Sequence, residues 1–253
     1  MDLYNNKYYI IRKGDFATNG NKKIFYSLFS ICLCLEEYLS RNTSDCFNIM
    51  IGSTIVWTII EYILNVTKTR VIKPMYIIDL FGNKQLLNKH IGIFLQGFQE
   101  GGVVTTFGLY FGDRIFEYNY LIIFHLFIFY IVTNLMSRQK KKKINVSRRQ
   151  INTSGSIGIM GYITLYNVRT VYLNPLHFQR QIQMFFVMVY VCSIWTCIAY
   201  YRGFRNVEVE VKENKNYIIR KTNYSELFYI LGYDVIFEIG IAYLTFYNWF
   251  ILN

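Results

Sequence analysis

Residues 118–136 read YNYLIIFHLFIFYIVTNLM, and residues 137–149 follow directly as SRQKKKKINVSRR. An apolar run of this length, with only His125 and Asn134 as strongly polar interruptions after Asn119 at its start, matches the roughly 20 residues needed to cross ~30 Å of hydrocarbon. The dense basic run behind it is the kind of loop that stays on the cytoplasmic side of a membrane.

Working outward, similar blocks occur at 24–40, 47–65 and 90–111 on the N-terminal side, and at 154–172, 183–201 and 226–252 on the other. Taken together they predict an all-α, polytopic transmembrane helical bundle of about seven spans over residues 24–252, behind a polar segment at 1–23. Two blocks are weak: 24–40 carries Glu36 and Glu37 near its end, and 154–172 holds Asn167 and Arg169 in its last turns. The chain's two prolines, Pro74 and Pro175, both fall between blocks, so uninterrupted helices are expected. Residues 1–23 have no apolar centre and are not expected to form a cleavable signal.

Lysine and arginine set the orientation. The N-terminal segment is basic (Lys7, Arg12, Lys13, Lys22, Lys23), and so are the second connection (Lys68, Arg70, Lys73, Lys84, Lys89), the fourth (138–149) and the sixth (Arg202, Arg205, Lys212, Lys215, Arg220, Lys221). The odd connections offer little beyond Arg41, Arg114 and Arg180. This alternation places the N-terminus in the cytoplasm and the C-terminus outside. Within the second connection, residues 75–82 are apolar but too short to cross, and are expected at the membrane interface. In the sixth, Val-Glu-Val-Glu-Val at 207–211 alternates as a strand does, with 217–220 as its hairpin partner.

Composition agrees with a membrane chain: 53% of residues are hydrophobic and only 17% charged. The net charge of +11 on a soluble domain would suggest nucleic acid. Here the charges lie between apolar blocks, so the expected partners are the bilayer and its anionic head groups, with no nucleic acid. Arg138, Lys140, Lys141, Lys142, Lys143, Arg148 and Arg149 are the expected head-group contacts. The five cysteines have no metal spacing, and no cofactor or metal motif occurs.

Chemistry is sought in polar groups inside the blocks, because a carboxylate at the centre of a lipid-exposed helix costs about 2.5–3.5 kcal/mol on insertion scales. Gln96, Gln99 and Glu100 share one helix face, beside the small-residue pairs Gly97/Gly101 and Gly108/Gly112. Such glycines allow close helix contact within the bundle or between copies in a homo-oligomer. Asp234 and Glu238, four residues apart, repel unless one is protonated or a cation is supplied, and their own block contains no basic residue. Glu61 is expected to pair with Arg70 or Lys68. His125 is the one histidine well inside a block, and a lone histidine makes no metal site.

Three functions are compatible with this pattern. The first is a small-solute or ion transporter or channel lined by Gln96, Gln99, Glu100, Asp234 and Glu238, with His125 in reach. A lipid-modifying membrane enzyme needs Asp234 and His125 to converge on a lipid-accessible cavity. A non-catalytic scaffold or envelope protein predicts that every buried carboxylate is capped by a neighbour. The transporter or channel reading is preferred, and the enzyme, which would use one of these carboxylates as acid or base, is the less expected alternative.

Overall fold

A computed structural model describes residues 6–14, 17–115, 117–118, 120–137, 145–151, 153–213 and 216–252. The polypeptide is mostly helical. Helices α1 (Gly20–Arg41), α2 (Asp45–Val66), α3 (Lys89–Gly97), α4 (Val104–Ile115), α5 (Tyr120–Ser137), α6 (Thr153–Leu173), α7 (Phe178–Tyr201), α8 (Tyr224–Gly232) and α9 (Ala242–Phe250) follow in chain order. Two π-helical segments interrupt this series. Phe98–Val103 joins α3 to α4, and Tyr233–Ile241 joins α8 to α9.

The connections on the basic side are not loops. Strands β1 (Lys7–Lys13), β2 (Arg70–Ile72), β5 (Asn145–Ile151), β6 (Arg205–Glu213) and β7 (Asn216–Lys221) form one five-stranded sheet in the order β2-β5-β1-β6-β7, while β3 (Tyr76–Ile78) and β4 (Lys84–Leu86) pair separately. Every neighbouring pair is antiparallel. The N-terminal segment and the second, fourth and sixth connections thus each contribute to the large sheet. β6 and β7 form the hairpin implied by the alternation at 207–211, but as one flank of that sheet.

This corrects the expected architecture on two counts. The protein is not an all-α bundle, and it does not have seven membrane-length helices. Among the described residues, three helices are long and apolar enough to cross a membrane: Asp45–Val66, Pro175–Tyr201 and Tyr224–Phe250. For three of the other four blocks the physical reasons are local, and the fourth, 118–136, forms α5, several of whose side chains lie outside the described residues. α1 takes in Lys22 and Lys23 at its start and Glu36, Glu37 and Arg41 at its end, so its uncharged stretch is short. The 90–111 block is divided between α3, a π-helical segment and α4. α6 is diluted by Gly, Thr, Asn167 and Arg169.

Strand alternation gives the large sheet two different faces. Tyr8, Ile10, Ile151, Val207 and Val209 pack from one face against Leu227, Ile230 and Tyr233 of the last helical stretch. That stretch is fastened at its first turn. Asn223 accepts a hydrogen bond from the Glu226 amide (2.8 Å), and the Glu226 carboxylate accepts from the Asn223 amide (2.9 Å), forming a capping box. Arg220 of β7 and Tyr8 of β1 also donate to Glu226. Asn223→Ala is expected to cost about 1 kcal/mol, seen as a lower thermal midpoint of the purified protein.

A second core lies among the helices, where Cys34, Cys46, Ile49, Met50, Leu109, Met184, Met188, Tyr243, Phe246 and Tyr247 meet. Glycines make this contact close. A Cβ on Gly101 would lie 2.4 Å from the Ser53 carbonyl oxygen, and one on Gly97 would lie 2.3 Å from Thr58 Oγ1. Gly108 and Gly112 receive Met188 and Met184 of α7 in the same way. All four glycines therefore serve contacts within the chain.

Candidate functional site

The strand register decides where the charges go. Arg12, Arg70, Arg149 and Arg205 lie on the sheet face that meets the helices, because Arg12 pairs with Arg205 and Arg70 with Arg149 across the ladder. Like charges directly opposite one another in a sheet are unfavourable. The helices supply the compensation. Glu100, Asp234 and Glu238 all sit in the two π-helical segments, and Glu61 is in the last turns of α2.

Each acid meets an arginine from a strand. Arg12 Nη1 donates to Glu100 at 2.7 Å, and Arg70 Nη2 lies 3.5 Å from the same carboxylate. Arg70 also pairs with Glu61, both side chains being 1% exposed. Arg149 bridges Asp234 (3.0 Å) and Glu238. Arg205 pairs with Asp234 and donates to Thr196 Oγ1 at 2.7 Å. Lys23 of α1 completes the belt, donating to Gln96 (2.7 Å) and Gln99 (2.5 Å), while Gln96 donates to Glu100 at 2.6 Å. The Tyr243 hydroxyl donates to the Glu100 carbonyl at 2.5 Å.

Five basic side chains (Arg12, Lys23, Arg70, Arg149, Arg205) thus face four carboxylates (Glu61, Glu100, Asp234, Glu238). Complete burial pushes the Lys23 ammonium down to about 7, because the low-dielectric surroundings favour the neutral amine. With Lys23 neutral the belt carries four charges of each sign. With Lys23 protonated it carries one positive charge in excess. Burial also lowers the pKa of Arg149, although its guanidinium stays charged because the ordinary value is so high.

Of the residues singled out from sequence, Gln96, Gln99, Glu100, Asp234, Glu238 and Glu61 are brought into this one belt. His125 is not. It meets the Phe111 ring edge-on at 4.7 Å and has no bond to the belt among the described residues. Arg149 turns inward to Asp234 and Glu238 instead of outward to head groups. Arg148, on the opposite sheet face, covers the Tyr9 ring at 3.6 Å. Arg138, Lys140, Lys141, Lys142 and Lys143 lie outside the described residues. Arg70 is the partner expected for Glu61, whereas Arg12, Lys23, Arg205 and Tyr243 escaped notice in the sequence because partners for the other acids were sought within the same apolar block. The requirement for a cation beside each buried carboxylate was the available signal.

No protein-family model, curated protein or solved structure matches this chain. Its chemistry is therefore read from its own residues.

A smaller charge cluster occupies the connections on the other side. Arg180 forms a bidentate pair with Asp113 (2.9 and 2.8 Å) and also pairs with Asp45. Arg41 meets Glu117 at 3.2 Å. These groups line an open cleft of ≈ 620 Å³ together with Glu37, Thr43 and Gln183. No group of three or more metal-ligating side chains occurs among the described residues.

Proposed function

We propose that this chain is a multi-pass integral membrane protein with a non-catalytic, scaffold-type role, in which apolar helices hold a β-sheet platform against one membrane face. The observation that carries this is the pairing of the four strand arginines on the helix-facing side of the sheet with helix carboxylates. Arg12, Arg70, Arg149 and Arg205 come from separate segments of the chain, and each closes onto Glu61, Glu100, Asp234 or Glu238. A belt in which every acid faces a base joins two layers. It offers a passing ion no uncompensated carboxylate. Outward rows such as Ile51, Ile55, Ile59 and Ile63, at a spacing of four on α2 and exposed, support lipid contact along that helix.

Ion or proton passage is the second reading. It is favoured by Lys23, which titrates near neutrality, and by the two π-helical segments that carry three of the belt's four acids, since such segments are frequent at functional sites.

Reconstituted vesicles separate the two. For a scaffold, the protein resists alkaline extraction from the membrane, and its vesicles leak protons and alkali cations no faster than empty ones. Glu100→Gln and Asp234→Asn then lower the thermal midpoint, because the first removes the counter-charge of Arg12 and one of two from Arg70, and the second that of the buried Arg205. A leak specific to the protein, abolished by either substitution at an unchanged midpoint, assigns the belt to passage instead.

A further inference from the structure

We infer that the β3–β4 hairpin is a membrane-surface anchor that inserts Leu80 and Phe81 into the anionic leaflet on the sheet's side of the membrane. This inference rests on the membrane reading above.

Leu80 and Phe81 occupy the tip of the hairpin and are 103% and 90% exposed. Two large apolar side chains held fully in water are costly, and here the backbone holds them there. Asp79 Oδ1 accepts from the Phe81 amide (2.9 Å) and the Asn83 amide (2.8 Å), and Oδ2 accepts from the Asn83 side chain (3.1 Å). The Asp79 amide donates to the Asn83 carbonyl at 3.0 Å, and the Gly82 amide donates to the Asp79 carbonyl at 3.1 Å. Gly82 takes φ +85°, a left-handed conformation that glycine adopts without strain. The turn is a rigid support with an apolar point.

Its placement and charge identify the occupant. Asn21, in the first turn of α1, makes reciprocal hydrogen bonds to the Ile78 backbone at 2.8 and 2.7 Å. The Tyr76 amide donates to the Thr18 carbonyl at 2.9 Å. The hairpin therefore sits at the start of α1 and just before α3, whose outward residues Phe25, Leu28, Ile91 and Phe94 are apolar and exposed. Lys73, Lys84 and Lys89 flank the tip in the sequence, with Asp79 as the nearby acid engaged in the turn itself. Apolar residues backed by lysines are the chemistry of a segment that lies in an anionic bilayer interface.

Tryptophan fluorescence tests this in the full-length protein. Trp57, Trp195 and Trp249 fall one in each of the three membrane-length helices, so the parent protein reports on those helices. The Phe81→Trp variant adds a reporter at an exposed tip where folding is not at stake. In nanodiscs whose lipids are brominated at shallow acyl positions, the parent tryptophans are quenched. The emission added by Phe81→Trp is blue-shifted, loses most of its intensity to the bromines and resists aqueous iodide. Insertion is deeper in phosphatidylserine-containing discs than in purely zwitterionic ones.

An added emission that stays at the wavelength of water-exposed tryptophan, open to iodide and untouched by bromines, overturns the anchor while quenched parent tryptophans keep the membrane reading intact. Parent tryptophans untouched by brominated lipid overturn both. Equal insertion into both kinds of disc overturns the anionic preference.

Discussion

Arg70→Met is expected to lower the thermal midpoint of the detergent-solubilised protein by roughly 6–20 °C. The substitution leaves Glu61 without its ion-pair partner and deprives Glu100 of one of two guanidinium neighbours. Arg70 and Glu61 are both 1% exposed, so solvent does not screen the loss. Removing one partner of a buried pair costs about 3–5 kcal/mol, and for a chain of this size each kcal/mol shifts the midpoint by roughly 2–4 °C. The double variant Arg70→Met/Glu61→Met recovers much of that loss, because no orphaned charge remains at position 61. Glu100 keeps Arg12 and Gln96 in either case. A double variant no better than the single one would show that Arg70 acts through packing or through Glu100 alone.

The second large effect belongs to a residue with no side chain. Gly101→Ala sets a Cβ 2.4 Å from the Ser53 carbonyl oxygen, 2.8 Å from Trp57 Cβ and 2.9 Å from the Ser53 carbonyl carbon. Two of these atoms are α2 backbone, so no rotamer change relieves the clash. Overpacking of this kind costs about 1–3 kcal/mol or more, and Gly101→Val is expected to prevent accumulation of folded protein. Gly158→Ala supplies the contrast. A Cβ there meets nothing within 4 Å, and alanine improves on glycine by up to about 1 kcal/mol inside a helix. Measured side by side, one alanine lowers the midpoint and the other leaves it unchanged or raises it.

These two cases also mark what could be read in advance. Gln96, Gln99 and Glu100 were recognisable as one helix face, and Gly97 and Gly101 as a close-contact pair, because both follow from spacing along a single helix. Asp234 and Glu238 demanded a cation for the same local reason. Their partners could not be found locally: Arg149 is 85 and 89 residues away from them, and Arg12 is 88 residues from Glu100. Whether an arginine lies in water, at head groups or against a buried acid depends on strand register, which no single segment encodes.

The sheet was obscured for a related reason. Lys7–Lys13 and Asn145–Ile151 are short and rich in lysine and arginine, and in the company of apolar blocks such stretches resemble orientation signals. Only 207–211 carried enough valine alternation to stand out. The number of membrane-length helices was overstated where block length outweighed composition, as in α1 with its terminal charges. It was also overstated where one long block became two short helices and a π-helical segment.

The position of β1 in the sheet bears on how the protein is made. The earliest strand to leave the ribosome lies third of five, between β5 and β6, and its partners begin at Asn145 and Arg205. Until both have been synthesised, β1 keeps at least one bare edge, and Arg12 lacks the strand that pairs Arg205 with it. Contacts so distant in sequence form late. The helices must therefore be in place before the sheet can close around its oldest strand. A polypeptide halted before β6 would display an unpaired strand edge of the kind that invites aggregation.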